Sequence, residues 1–247
     1  PPDLLNRQGQ NWGLPPWNPR ELARQAFAPL RRLLDANMRH AGALRIDHVM
    51  ALARLFWIPD GMSGAEGGYV RYPFDALAGI VALESQRHCC MVIGEDLGSV
   101  PEGFRDALHQ RGFLSYRVLI YERHWHEDGR FCRPDEYPRQ ALAMVATHDM
   151  PTLREYWQGG DPSRRETLGL YPEPGMREQD AHRREGERAG LLRLFAEAGL
   201  GSPDSGDVDQ CIATLHATIA SSRSMLAAAQ LDDVLGEGEP VNIPGTY

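Results

Sequence analysis

The sequence contains no lysine: all 26 of its basic residues are arginine. That excludes chemistry carried by a lysine Schiff base or a lysine general base. Cysteine is scarce as well. Cys89 and Cys90 are adjacent, Cys132 and Cys211 stand alone, and no C-x-x-C spacing suited to zinc or redox work occurs. Such scattered thiols are expected to be buried structural residues in a reducing cytoplasm. A run of eighteen apolar residues and a basic-then-apolar leader are both missing, so neither a membrane span nor a secretory signal is expected. Positive charge is in deficit, with a formal net charge of −8. Without a basic face, nucleic acid and anionic membrane are not expected partners, and a neutral substrate fits better.

What is present is a chain of 247 residues, 42% of them hydrophobic, enough for one substantial core. Short runs rich in Val, Ile, Leu and Ala recur, each with polar residues at its C-terminal end: "GALRIDH" at 42–48, "CCMVIGED" at 89–96, "YRVLIYE" at 116–122 and "LAMVATHD" at 142–149, with a weaker "SMLAAAQL" at 224–231. Near-continuous apolar runs of this length predict strands of a parallel sheet covered on both faces. Between them, 19–40 and 100–112 carry apolar residues at helical spacing. The alternation predicts βα units of an α/β fold. Residues 175–220 read as long charged helices, and the Gly- and Pro-containing stretches 59–73 and 158–175 as loops.

Side chains alternate faces along a strand, so Leu44 and Ile46 point one way while Arg45 and Asp47 point the other. In a barrel, polar residues at the C-terminal ends of strands build the site. Glu95 closes "MVIGED" and Asp149 closes "VATHD" in the same manner. Arg45, two residues from Asp47 on its own face, suits an ionised carboxylate that acts as nucleophile. Glu95 has no adjacent cation, and burial beside an ionised Asp47 suits a general acid that carries a proton. A nucleophile and an acid/base about 5 to 5.5 Å apart are the equipment of a retaining glycoside-processing enzyme.

The blocks "GQNWGLPPW", "ALRIDHVM", "MVIGEDLGSVP", "ATHDMPTLREYW" and "EPVNIPGT", in this order, resemble the amylomaltases, the bacterial 4-α-glucanotransferases of the α-amylase clan, over the whole chain. The resemblance implies a (β/α)8 TIM barrel. Family members extend further on the N-terminal side, so residues 1–247 are expected to be the C-terminal portion of the catalytic barrel, with a helical insertion at about 161–223. It implies Asp47 as nucleophile, Glu95 as acid/base and Asp149 as transition-state stabiliser. Arg45 would orient Asp47, His148 and Asn242 would reach sugar hydroxyls, and Trp12 would stack on glucose. Trp57 and Trp157 fit a core role as easily as a platform. The implied activity is transfer of α-1,4-glucan segments to glucose or maltooligosaccharides, in the cytoplasm, with no cofactor and no metal. The segment 1–13 and the loop 60–73 are candidates for keeping water from the acceptor's place.

Three alternatives stay open at this point. A barrel could hold Mg²⁺ on its acidic strand ends. The chain could hydrolyse α-glucans, or be an inactive or glucan-binding portion whose open sheet edges lead it to self-associate.

Overall fold

The computed structural model describes residues 11–246. Residues 1–10, and with them most of the 1–13 segment assigned to water exclusion, lie outside the described residues. The chain divides into two compact units, 1–116 and 117–247.

The first unit begins with α1 (Pro19–Arg24) and α2 (Ala28–Met38). The single helix expected over 19–40 is therefore broken. Ala26 and Phe27 both take left-handed backbone, at φ 49° and 56°, which no continuous right-handed helix accommodates. Each half still has a local start signal. The Asn18 side chain accepts hydrogen bonds from the amides of Arg20 and Glu21, and each helix has a proline in its first turn. Leu30, Leu34 and Met38, at helical spacing, form the buried face of α2.

Strand β1 (Ala43–Ile46) follows, ending one residue before Asp47. His48, with φ 44°, then turns the chain into a short 3₁₀ segment whose Val49 and Met50 are fully buried. The apolar stretch continues as β2 (Arg54–Trp57), which pairs antiparallel with β3 (Gly68–Arg71). The region expected to be a plain loop at 59–73 thus contains the second arm of a hairpin. Tyr69 sits opposite Phe56, with their rings edge to face at 5.3 Å, and the Arg54 guanidinium lies 4.2 Å over the Tyr69 ring. The hairpin closes on Gly67, where a Cβ would collide with the Phe56 ring and the carbonyl oxygen of Trp57. Gly67→Ala is therefore expected to destabilise the chain by about 1–3 kcal/mol. A lowered urea midpoint at unchanged slope checks this.

Helix α3 (Phe74–His88) returns the chain to β4 (Met91–Gly94), and α4 (Phe104–His109) leads to β5 (Leu114–Val118), which runs across the unit boundary. β4 lies between β1 and β5 and is parallel to both. The core of this unit joins Leu22, Leu34, Met38, Val49, Leu77, Val81, Val92 and Phe104. Cys89 caps α3 with left-handed backbone and is exposed, so it departs from the expectation of buried thiols; all four cysteines are free.

In the second unit, backbone amides of Leu119 and Ile120 continue from β5 to the carbonyls of Met144 and Val145. β6 (Ala141–Met144) pairs in parallel with β7 (Leu226–Ala228). β5 begins two residues before the expected run at 116 and ends at Val118, and among the described residues no α-helix lies between β5 and β6. Pro134 and Pro138 and the small hairpin around Gly129 occupy that connection, so it is not a regular βα unit.

Between β6 and β7 come α5 (Leu153–Gln158), α6 (Asp161–Thr167), α7 (Met176–Glu197) and α8 (Val208–Ala220); α9 (Leu231–Leu235) follows β7. α6 falls within the stretch 158–175 that reads as a loop. Trp157 is buried against Phe195 and donates its indole N–H to the carbonyl of Ser205, a core role. No helix among the described residues is long and apolar enough to cross a membrane.

Candidate functional site

In the first unit the register pairs Ile46 of β1 with Gly94 of β4, so Asp47 and Glu95 are the next residues along two adjacent parallel strands. Hydrogen bonding continues past the strand ends. The Glu95 amide donates to the carbonyl of Ile46, and the Val49 amide donates to the carbonyl of Glu95, each at 2.9 Å. Gly94 leaves room for the chain after Asp47, because a Cβ there would lie 3.1 Å from both Val49 methyl groups.

The Glu95 carboxylate is buried, with both oxygens occupied as acceptors: Oε2 takes the amide of His48 at 2.7 Å and Oε1 the amide of Leu97 at 2.7 Å. The sequence offers Glu95 no adjacent cation; folding supplies two backbone N–H donors. Asp47 is three-quarters exposed and receives the Arg45 guanidinium at 2.7 Å. Arg45 in turn lies 4.8 Å over the Tyr116 ring of β5. Its Nε is buried without a hydrogen-bond partner among the described residues.

Tyr116 was not singled out from the sequence. Its signal was the alternation of β5, where Leu114, Tyr116 and Val118 share the buried face. Asp96, the residue after Glu95, is buried. It accepts from Arg105 Nε at 2.7 Å and from the amide of Tyr116 at 3.1 Å, while Arg105 Nη2 donates to its carbonyl at 2.7 Å. It thereby fixes the backbone next to Glu95. Trp12 is exposed at 76%, in the irregular segment before α1. Trp57 is half-buried, donating to the Tyr72 hydroxyl, which itself donates to the carbonyl of Trp17.

In the second unit Asp149 and His148 follow β6. The His148 Nε2 lies 3.5 Å from Asp149, and Asn242 Nδ2 donates to Asp149 Oδ1 at 2.6 Å. Two candidates that are 93 residues apart in sequence are thus in direct contact. Nearby Tyr121 has its phenol pushed above the ordinary range, first by burial of the hydroxyl; Arg183 opposes this and the negative charge of Asp149 adds to it. A cleft of about 540 Å³ in this unit, lined by Glu155, Gln158, Arg164, Leu168 and Ile243 among others, includes none of the candidate carboxylates. Chemically, the first unit offers an exposed carboxylate paired with arginine beside a buried one held by amides. The second offers a carboxylate held by an amide side chain.

The sequence profile described as 4-alpha-glucanotransferase matches residues 1–247. A 4-alpha-glucanotransferase of Haemophilus influenzae is 40% identical over 252 residues, covering 100% of this chain and 36% of that protein. One of Mycobacterium tuberculosis is 41% identical over 257 residues, covering 100% of this chain and 34% of that protein. The crystal structure of amylomaltase from Corynebacterium glutamicum superposes with a TM-score of 0.93 at 35% identity, over 100% of this chain and 36% of that one. The chain therefore spans about a third of the length of these relatives.

Proposed function

The chain belongs to the 4-alpha-glucanotransferase family, and from that premise we propose that it supplies the catalytic carboxylates of a retaining transfer between α-1,4-glucans. The observation that carries the proposal is the placement of Asp47 and Glu95 at adjacent strand ends, with the Glu95 side chain bonded to the amide of the residue after Asp47.

In the first half-reaction Glu95 gives its proton to the glycosidic oxygen as the Asp47 carboxylate attacks the anomeric carbon. The C–O bond to the leaving glucan breaks, and a covalent glycosyl-enzyme forms through an oxocarbenium-like transition state. Arg45 holds Asp47 in position before attack. In the second half-reaction Glu95, now ionised, takes the proton from the 4-hydroxyl of an acceptor glucose or maltooligosaccharide, whose oxygen displaces Asp47. Asp149, held by Asn242, binds hydroxyls of the distorted sugar together with His148. Trp12 stacks on the apolar face of glucose, which suits an exposed indole. No metal or organic cofactor enters these steps. In this reading the chain acts as one portion of a protein of the relatives' length.

The test is to incubate maltotriose with a polypeptide of the relatives' full length that includes this chain, and separately with residues 1–247, and to resolve the products by size. Transfer by the longer polypeptide yields free glucose plus oligosaccharides longer than maltotriose, whereas a hydrolase yields only shorter sugars. Residues 1–247 alone are expected to give no turnover. Turnover equal to that of the longer polypeptide would show that the remaining two thirds are dispensable.

A further inference from the structure

The connection between β5 and β6 gathers three side chains of metal-binding type, none of which the proposed glucan chemistry uses. His124, Cys132 and Glu136 each offer one ligand atom, and these atoms all lie within 4.8 Å of one another. We propose that they form a binding site for a single zinc-like divalent cation that staples this hairpin.

The scaffold is built before any ion arrives. Arg123 and Phe131 form an antiparallel bridge, the His124 amide donates to the carbonyl of Arg130, and the Cys132 amide donates to the carbonyl of Glu122. These bonds bring the two arms of the hairpin together and so bring His124 to Cys132. The 3₁₀ turn Pro134–Glu136 then folds Glu136 back, its Oε2 accepting from the Arg133 amide at 2.6 Å.

Within that scaffold His124 Nε2 is buried and has no hydrogen-bond partner among the described residues, although it lies only 3.4 Å from Glu136 Oε1. A buried ring nitrogen without a partner costs free energy that a cation would recover. The 3.4 Å separation is also what two ligands of one tetrahedral zinc require, since bonds of about 2.0 to 2.3 Å place neighbouring ligands about 3.3 to 3.8 Å apart. A contact at the 4.8 Å limit would need to close by about 1 Å. His124 Nδ1 faces Glu127 Oε2 at 3.7 Å, longer than a hydrogen bond, so this carboxylate would have to close in to orient the imidazole once a cation binds.

The donor set of one sulfur, one nitrogen and one oxygen selects zinc over Mg²⁺ or Ca²⁺, which take oxygen alone. Opposing charge is present: Arg130 holds both Glu136 oxygens at 2.9 Å, and burial first, then Glu122 and Glu136, push the Cys132 thiol up while Arg130 and Arg117 oppose them. Among the described residues Glu136 Oε1 accepts a hydrogen bond from Arg130 alone, which leaves a lone pair for a cation, and the competing arginine would moderate the affinity. No short cysteine motif marks this site, because its ligands come from two hairpin arms and a turn.

Titration of the metal-free chain with Co²⁺ tests the site without reference to glucan transfer. Binding should produce tetrahedral ligand-field absorption together with a thiolate-to-cobalt charge-transfer band, both displaced by equimolar Zn²⁺. Cys132→Ser should abolish the charge-transfer band, Glu127→Gln should weaken Co²⁺ binding about tenfold, and Cys89→Ser should change neither. In the unsubstituted protein Zn²⁺ should slow alkylation of Cys132, identified by peptide mass, at least tenfold while leaving Cys89 unaffected; this readout does not depend on any variant folding. Absence of the charge-transfer band, its persistence in Cys132→Ser, or alkylation of Cys132 at an unchanged rate would each overturn the proposal.

Discussion

Glu95→Gln should lower transfer from maltotriose by about 10²–10⁴-fold, the range lost with a general acid/base, in a polypeptide of the relatives' full length. Glutamine keeps the size of the side chain but has no proton to give at the glycosidic oxygen. The environment adds a second effect. Both Glu95 oxygens accept backbone amides, and an amide nitrogen in either place would set donor against donor. A stability loss of about 1–3 kcal/mol accompanies that mismatch, so thermal unfolding must be measured alongside turnover. The two effects separate with a substrate such as an α-maltosyl fluoride, whose leaving group needs no protonation. If Glu95 is the acid, the first step with the fluoride survives the substitution while transfer from maltotriose does not. Equal losses on both substrates would mean that Glu95 only supports the strand end. A loss below tenfold on maltotriose would remove it from the acid/base role altogether.

Arg184→Met should destabilise the chain by about 3–5 kcal/mol, the cost of leaving buried charge without its partner. Arg184 sits on α7 and is almost wholly buried. It donates through two nitrogens to Asp161 of α6, donates to Glu187 Oε2 at 2.8 Å, and its guanidinium lies 3.6 Å over the Tyr156 ring of α5. The Tyr156 hydroxyl donates to the same Glu187 oxygen at 2.8 Å. Removing the arginine takes from buried Asp161 its ion-pair partner, while Glu187 keeps the Tyr156 hydroxyl and Arg183. Denaturant unfolding of the single variant checks the magnitude. The triple variant Asp161→Asn, Arg184→Met, Glu187→Gln should recover most of the loss, because no unpaired charge is then left inside. A loss under 1 kcal/mol for Arg184→Met would show that water reaches these carboxylates.

The same helix shows where local pattern stops being informative. α7 is charged along most of its length, and from sequence it falls in the stretch 175–220 that reads as long charged helices. In the folded chain its buried line runs through Arg184, Glu187, Leu191, Leu194 and Phe195. The helical spacing was legible, but the burial of an arginine and a glutamate was not, since it depends on α5 and α6 supplying partners.

By itself the sequence determined the strand positions of β1, β4, β6 and β7, the carboxylates at the ends of the first three, and the contact of Arg45 with Asp47. Each of these follows from residues within a few positions of one another, through alternation along a strand or reach along one face. Only tertiary structure decided the rest. The break between α1 and α2 needs two left-handed residues whose side chains give no warning. The β2–β3 hairpin depends on cross-strand pairs such as Phe56 with Tyr69, and the Glu95 oxygens were claimed by amides of His48 and Leu97 once β1 and β4 were in register. Asn242 meets Asp149, and His124 meets Cys132 and Glu136, because folding closes the intervening loops. Contacts across long stretches of chain are set by which surfaces pack and which polar groups must be satisfied, and neither is encoded in a local period.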